Sequence, residues 1–228
     1  MPLSNAGGSG RMSVSKALPF LFASLNQGKF KEAAAVFNGF KLPLIAPHQI
    51  TAAICRAYGL AASLGDPPRV DEIAETYAGN AALKAHAFFE WSGLPSVADD
   101  AGLEVDALDG APGLISARFV GTHGDSQANI DKLLGLLEGQ ETRTARFRAV
   151  VCCQPEKGEI LYAKGVLEGE IAYRQRGRGG FGYDSVFVVA GQGKTLAELK
   201  EQGVCVRTHR VMALEDLCRR LTGVIAAR

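Results

Sequence analysis

The pattern that most restricts the fold is an alternation of short apolar runs of strand length with longer runs whose apolar residues recur at helical spacing. Leu18 to Ser24 predicts a strand, Gly28 a turn, Phe30 to Asn38 a helix, and Leu42 to Ala46 a short strand bounded by prolines. The opening is thus β-α-β. Ala-rich Ile50 to Leu64 predicts a helix stopped by Gly65-Asp66-Pro67-Pro68, and Asn80 to Trp91 predicts another ending at Gly93. Ser96 to Asp99 and Leu103 to Ala107 read as strands on either side of a turn at Asp100-Ala101-Gly102. Ser126 to Leu137 has helical spacing, Arg146 to Cys152, Gly165 to Tyr173 and Ser185 to Ala190 read as strands, and Met212 to Leu221 as an amphipathic closing helix. Interleaved strands and helices argue for an α/β fold. The stretch from Arg143 to Tyr173 looks antiparallel, so a mixed twisted sheet with flanking helices is expected.

A chain of 228 residues that is 47% hydrophobic can bury a sizeable core. Residues 1–16 lack acidic residues and any apolar period, so they read as a disordered tail before a single domain over 17–228. Twenty-five basic against 24 acidic residues leave a net charge of +1, hence no global field for nucleic acid or an anionic membrane. Phosphate binding must be local. No segment approaches the ~18 apolar residues of a membrane span. Five cysteines, with a vicinal Cys152-Cys153 pair and no CxxC, fit neither a disulfide framework nor a zinc site, which points to the cytoplasm.

Two phosphate motifs fail on context. Gly177 to Gly182 matches GxGxxG but precedes a strand pattern rather than a helix, and Gly193-Lys194-Thr195 lacks the first glycine of a P-loop. Ser24-Leu25-Asn26-Gln27-Gly28-Lys29 stands at a strand-to-helix junction, where free helical N–H groups and a lysine can hold a polyphosphate; a capped helix with a solvated lysine would use the same residues. Asp99-Asp100, with Asp71 and Glu72 as a second arm, could hold Mg²⁺, which takes one or two carboxylates plus substrate phosphates; solvated acidic turns are the plainer account. Phe181-Gly182-Tyr183-Asp184 offers a ring for stacking or simply a tight turn, and Thr208-His209-Arg210 offers donors at a helix start.

In order, Ser24-x-Asn26-x-x-Lys29, Thr76-Tyr77-x-x-Asn80-Ala81-x-x-Lys84-Ala85, Ala98-Asp99-Asp100-x-Gly102-Leu103, Gly110-Ala111-Pro112-Gly113, Ser116-Ala117-Arg118-Phe119, Gly180 to Asp184 and His209-Arg210 resemble the inosine triphosphate pyrophosphatase family. The resemblance spans roughly residues 18 to 221. It implies two lobes around a nucleotide-binding cleft and a Mg²⁺-dependent homodimer. It also implies hydrolysis of non-canonical purine nucleoside triphosphates (ITP, dITP, XTP) to monophosphate and pyrophosphate. It makes Asp100 the proton acceptor and a metal ligand, Glu72 the other metal carboxylate, and Lys29 the main phosphate cation. Ser24 to Lys29 and Ala101 would contact the substrate, Phe181 would stack on the base, Gly182, Tyr183 and Asp184 would shape its pocket, and His209-Arg210 would reach its edge.

Three features depart from that family. Ala101 replaces its usual hydroxyl residue, Val204 replaces a lysine that contacts the base, and Ile50 to Leu64 is longer than its usual connection. Arg207 is the nearest candidate to stand in for the lysine. An enzyme for another modified nucleotide, or a nucleotide-binding protein with weakened turnover, would fit these departures.

Overall fold

The computed structural model describes residues 18–60, 64–121 and 125–227. In chain order the elements are β1 (Phe20–Phe22), α1 (Gln27–Gly39), β2 (Leu44–Ile45), α2 (Ala52–Tyr58), α3 (Tyr77–Ser92) and β3 (Ser96–Val105). These are followed by α4 (Ser126–Leu136), β4 (Thr144–Gln154), β5 (Leu161–Ile171), β6 (Phe187–Val189), α5 (Leu196–Glu201) and α6 (His209–Ala227). The strands form one six-stranded sheet in the order β2-β1-β3-β4-β5-β6. β1 is parallel to both neighbours, whereas β3, β4, β5 and β6 are successively antiparallel, so the sheet is mixed as expected.

Side-chain caps start the helices. Asn26 accepts from the Lys29 amide at α1, Thr76 from Gly79 at α3, and Asp125 from Ala128 at α4. Packing then fixes two lobes. In one, Phe22, Phe37, Val151 and Leu214 fill the layer between the sheet, α1 and α6, while Leu21, Ala85, Phe88 and Cys152 fill the layer under α3. In the other, Leu103, Leu133, Phe147, Phe187 and Leu196 join the far half of the sheet to α4 and α5. A cavity of about 640 Å³ opens between the lobes, with Phe88 of the first and Leu103, Phe147 and Leu196 of the second in its wall.

Four expectations need correction. Asp100-Ala101-Gly102 is not a turn: β3 runs through it, with Asp100 opposite Val150 and Gly102 opposite Arg148 on β4. The ladder outweighs the turn propensity of Asp and Gly, and the glycine has another purpose. A Cβ at Gly102 would lie 2.2 Å from the Gly113 carbonyl oxygen and 2.6 Å from the Tyr77 hydroxyl. The helix expected over Ile50 to Leu64 shrinks to α2, because Gly59 takes a left-handed conformation (φ 67°) that ends it. Residues 61–63 of that segment, like the 1–16 tail, lie outside the described residues. Ser185 belongs to a 3-10 turn over Gly182–Ser185, and Tyr173 falls beyond the end of β5. Finally, α5 was not expected at all.

Candidate active site

Parallel pairing of β1 and β3 sets the first half of the site. Phe22 lies opposite Val97, and the Ala23 amide donates to the Val97 carbonyl at 2.7 Å, so the chain leaving β1 turns over beside Asp99 and Asp100. Within that turn the Asn26 amide donates to Ser24 Oγ at 3.2 Å. The Asn26 side chain caps α1, which leaves the other first-turn amides without intrahelical acceptors. Lys29 reaches back along the helix, its Nζ 3.1 Å from Asp99 Oδ2.

Consecutive strand residues face opposite sides of a sheet, and this separates the two aspartates. Asp99 points towards α1 and α6, where Lys29 and the Arg210 Nε (2.8 Å) hold it. Burial alone would raise its pKa, but Lys29, Arg210 and Lys84 hold it far below the usual carboxylate range. Asp100 points towards α3. It accepts from Asn80 Nδ2 at 3.1 Å, and Lys84 Nζ lies 3.7 Å away. Burial and the charge of Glu72 raise the Asp100 pKa, against the pull of Lys84. One aspartate is thus a locked anion that organises cations, and the other has the proton affinity that a general base needs.

Glu72 stands 2.5 Å from Lys84 and 3.5 Å from Arg118. Burial opposes its ionisation, but Lys84 and its neighbouring cations lower its pKa. Because one ammonium contacts both Glu72 and Asp100, the two carboxylates converge. Among the described residues no group of three or more His, Cys, Asp or Glu could hold a metal ion. A cation here would need phosphate oxygens and water to complete its shell, which is the manner of Mg²⁺.

The cavity wall beside the α1 start is aromatic. Phe181 is 43% exposed, and a Cβ at Gly28 would meet its ring at 3.0 Å, so the ring lies directly against the α1 turn. The buried Tyr183 donates through its hydroxyl to the Ser116 carbonyl at 3.0 Å. Asp184 accepts from the Phe181 amide (3.0 Å) and from Lys200 Nζ (2.9 Å), while burial pushes its pKa up. His209 stacks on Phe147, with ring centroids 4.8 Å apart, and its buried Nδ1 has no hydrogen-bond partner. A Cβ at Gly165 of β5 would fall 2.0 Å from the His209 carbonyl oxygen, so this glycine lets α6 begin directly on the sheet. Arg210 also binds Glu32 at 2.7 Å, and Glu32 lies 3.6 Å from Lys200. Buried and part-buried ion pairs thus run without a break from Lys29 through Asp99, Arg210, Glu32 and Lys200 to Asp184.

Most residues expected from the sequence meet in this cavity: Ser24, Leu25, Asn26, Lys29, Glu72, Asp100, Ala101, Phe181, Gly182, Tyr183, Asp184, His209 and Arg210 all line it. Gln27 and Gly28 do not, since they form the first turn of α1, and Gly28 acts through its contact with Phe181. Arg207 is turned away and paired with Glu215 at 2.6 Å. Glu32, Lys84, Arg118 and Lys200 line the cavity without having been assigned a role. Lys84 was within reach of sequence reasoning, because it lies one helical turn after Asn80 on the same face of α3. Lys200 was not, because its helix went unread.

A model of the Ham1 family matches residues 20–220. The chain is 39% identical to the dITP/XTP pyrophosphatase of Exiguobacterium sp. over 88% of its own length and 95% of that protein's. It is 40% identical to the dITP/XTP pyrophosphatase of Desulforamulus reducens, over 87% and 92%. Among solved structures, a Ham1 protein of Coxiella burnetii superimposes with a TM-score of 0.75 at 33% identity, covering 91% of this chain and 100% of that one. The Staphylococcus aureus Ham1 protein gives 0.72 at 34%, over 90% and 99%. Matched over residues 20–220 by the family model and over most of its length by relatives about 40% identical, this chain belongs to the Ham1 family.

Proposed function

We propose that this protein hydrolyses non-canonical purine nucleoside triphosphates, of the ITP, dITP and XTP kind, to the nucleoside monophosphate and pyrophosphate, and so removes them from the nucleotide pool. One observation carries the reading: a single cavity brings together a capped helix start with Lys29, Lys84 and two converging carboxylates, and an exposed aromatic ring set against that helix start. That is the chemistry of a triphosphate joined to a planar base. The names of the relatives agree with it.

The α1 turn and Lys29 would hold the phosphate tail. Glu72 and Asp100 would hold Mg²⁺, which their convergence on one ammonium suits, with phosphate oxygens and water completing its shell. When bound, the ion would supply charge neutralisation at the phosphates. Asp100 would accept the proton of the water attacking the α-phosphorus, with Asn80 fixing the carboxylate's orientation. Phe181 would stack on the base. A homodimer in the cytoplasm belongs to the same reading through the family resemblance. No helix among the described residues is long and apolar enough to cross a membrane.

The test is product analysis with inosine triphosphate, xanthosine triphosphate and ATP in the presence of Mg²⁺. Pyrophosphate with monophosphate is expected, fastest for the keto purines. Orthophosphate with diphosphate would move the attack to another phosphorus and overturn the reading. Tight binding without either product would leave a nucleotide-binding protein.

A further inference from the structure

We propose that Lys200 is the specificity-determining contact to the base, donating a hydrogen bond from its ammonium to a keto oxygen at the purine 6-position. The assignment rests on the pyrophosphatase reading of the cavity and adds to it the group that tells keto from amino bases. Lys200 Nζ lies 5.4 Å from the centroid of the exposed Phe181 ring and lines the same cavity. The ammonium lies over the face of that ring, so a purine stacked off-centre on it would turn its polar edge towards Nζ.

Apart from His209, whose unpaired ring is held stacked on Phe147, the donor inventory leaves few alternatives. Val204 is 45% exposed and outside the cavity wall, Arg207 is held by Glu215, Tyr183 is committed to Ser116, and Arg210 to Asp99 and Glu32. Lys200 carries three N–H donors and no acceptor. Asp184 takes one at 2.9 Å, while Glu32 at 3.6 Å is an ion-pair partner beyond hydrogen-bond distance, so the ammonium keeps a donor for a ligand. A 6-keto oxygen accepts that donor, and a 6-amino group cannot.

The ammonium is also held in place. Asp184 binds both Lys200 and the Phe181 amide, which ties the cation to the backbone that carries the ring. A Cβ on Gly179 would meet Lys200 Cβ at 2.9 Å, and one on Gly180 would meet its Cδ at 3.1 Å, so the glycine loop lies directly on the lysine stem. Preorganisation of this kind is what a specificity contact requires.

The experiment compares kcat/KM for inosine triphosphate, ATP and the triphosphate of unsubstituted purine riboside, which has no group at position 6. Lys200→Met should lower kcat/KM for inosine triphosphate about ten- to a hundredfold, the loss expected for one charged hydrogen bond, and leave the unsubstituted purine unchanged. Lys200→Arg should retain the preference for inosine triphosphate over ATP. Equal losses for inosine triphosphate and the unsubstituted purine would overturn the proposal, since Lys200 would then act only by supporting Phe181 and Asp184. So would no loss for either. If Lys200→Met does not fold, Lys200→Gln is read the same way, with a partial loss confined to inosine triphosphate. An unmodified protein that releases no pyrophosphate from any of the three would instead remove the pyrophosphatase reading itself.

Discussion

Two neighbouring aspartates on one strand have opposite electrostatic fates because they face opposite sides of the sheet. Asp100 alone keeps a raised proton affinity, so Asp100→Asn should cut pyrophosphate release from inosine triphosphate at least ~100-fold while leaving the fold intact, as judged by circular dichroism. His209 gives a prediction about pH. Burial first, then the charge of Arg210, holds its pKa well below the ordinary value of 6.5, so it stays neutral in the folded protein. The unfolded chain takes up the proton at about pH 6.5. The unfolded state therefore binds more protons in acid, and stability that is complete above that pH falls as pH drops towards the depressed folded value. One such group can contribute up to about 1.4 kcal/mol per pH unit. Urea unfolding between pH 7.5 and 5.5 should show a smaller loss of stability for His209→Gln than for the unmodified protein.

Among the elements, β3 depends on a single atom's worth of space. Gly102→Ala would force its Cβ onto the Gly113 carbonyl and the Tyr77 hydroxyl, and overpacking against backbone costs about 1–3 kcal/mol or more. A thermal melt should place the variant well below the unmodified protein. The cap of α5 is the second case. The buried Thr195 accepts from the Glu198 amide and donates to the Arg176 carbonyl at 2.8 Å, so Thr195→Ala should cost about 1–2 kcal/mol in urea unfolding. These two elements also show what could be read in the chain. Periodicity located α1, α3, α4 and the long strands, because each buries one face and so carries a period. It failed at β3, where Asp and Gly occur inside a strand for the sake of the site and imitate a turn. It failed again at α5, which is too short for a period, although Thr195-x-x-Glu198 spells its capping box. The candidate site was legible wherever a cavity residue sits on a turn with a recognisable order of neighbours. Glu32 and Lys200 reach it through tertiary packing alone, and no spacing announces that.

Over the whole molecule, the cysteines follow the layers of the sheet. Cys152 and Cys153 pack on opposite faces, Cys55 and Cys218 are buried elsewhere, and only Cys205 is exposed. Burial pushes the Cys152 thiol up to about 12, so neither member of the vicinal pair is a ready nucleophile. A maleimide should add one label per native chain and five after denaturation, read by intact mass. The run of ion pairs from Lys29 to Asp184 has a different consequence, one for how such a protein can change over generations. Each charge in the run is balanced by the next, so a substitution at Lys200 or Asp184 alters the partners of Arg210 and Asp99, and through them Lys29. On the roles proposed for Lys200 and Lys29, base preference and phosphate grip are therefore not independently heritable traits. Gains at one end will be epistatic with the residue present at the other, and Glu32 at the midpoint will decide which combinations are viable. A double-mutant cycle between Lys200→Met and Lys29→Met, repeated on a Glu32→Gln background, should show non-additivity of about 0.5–3 kcal/mol that disappears when Glu32 is neutralised.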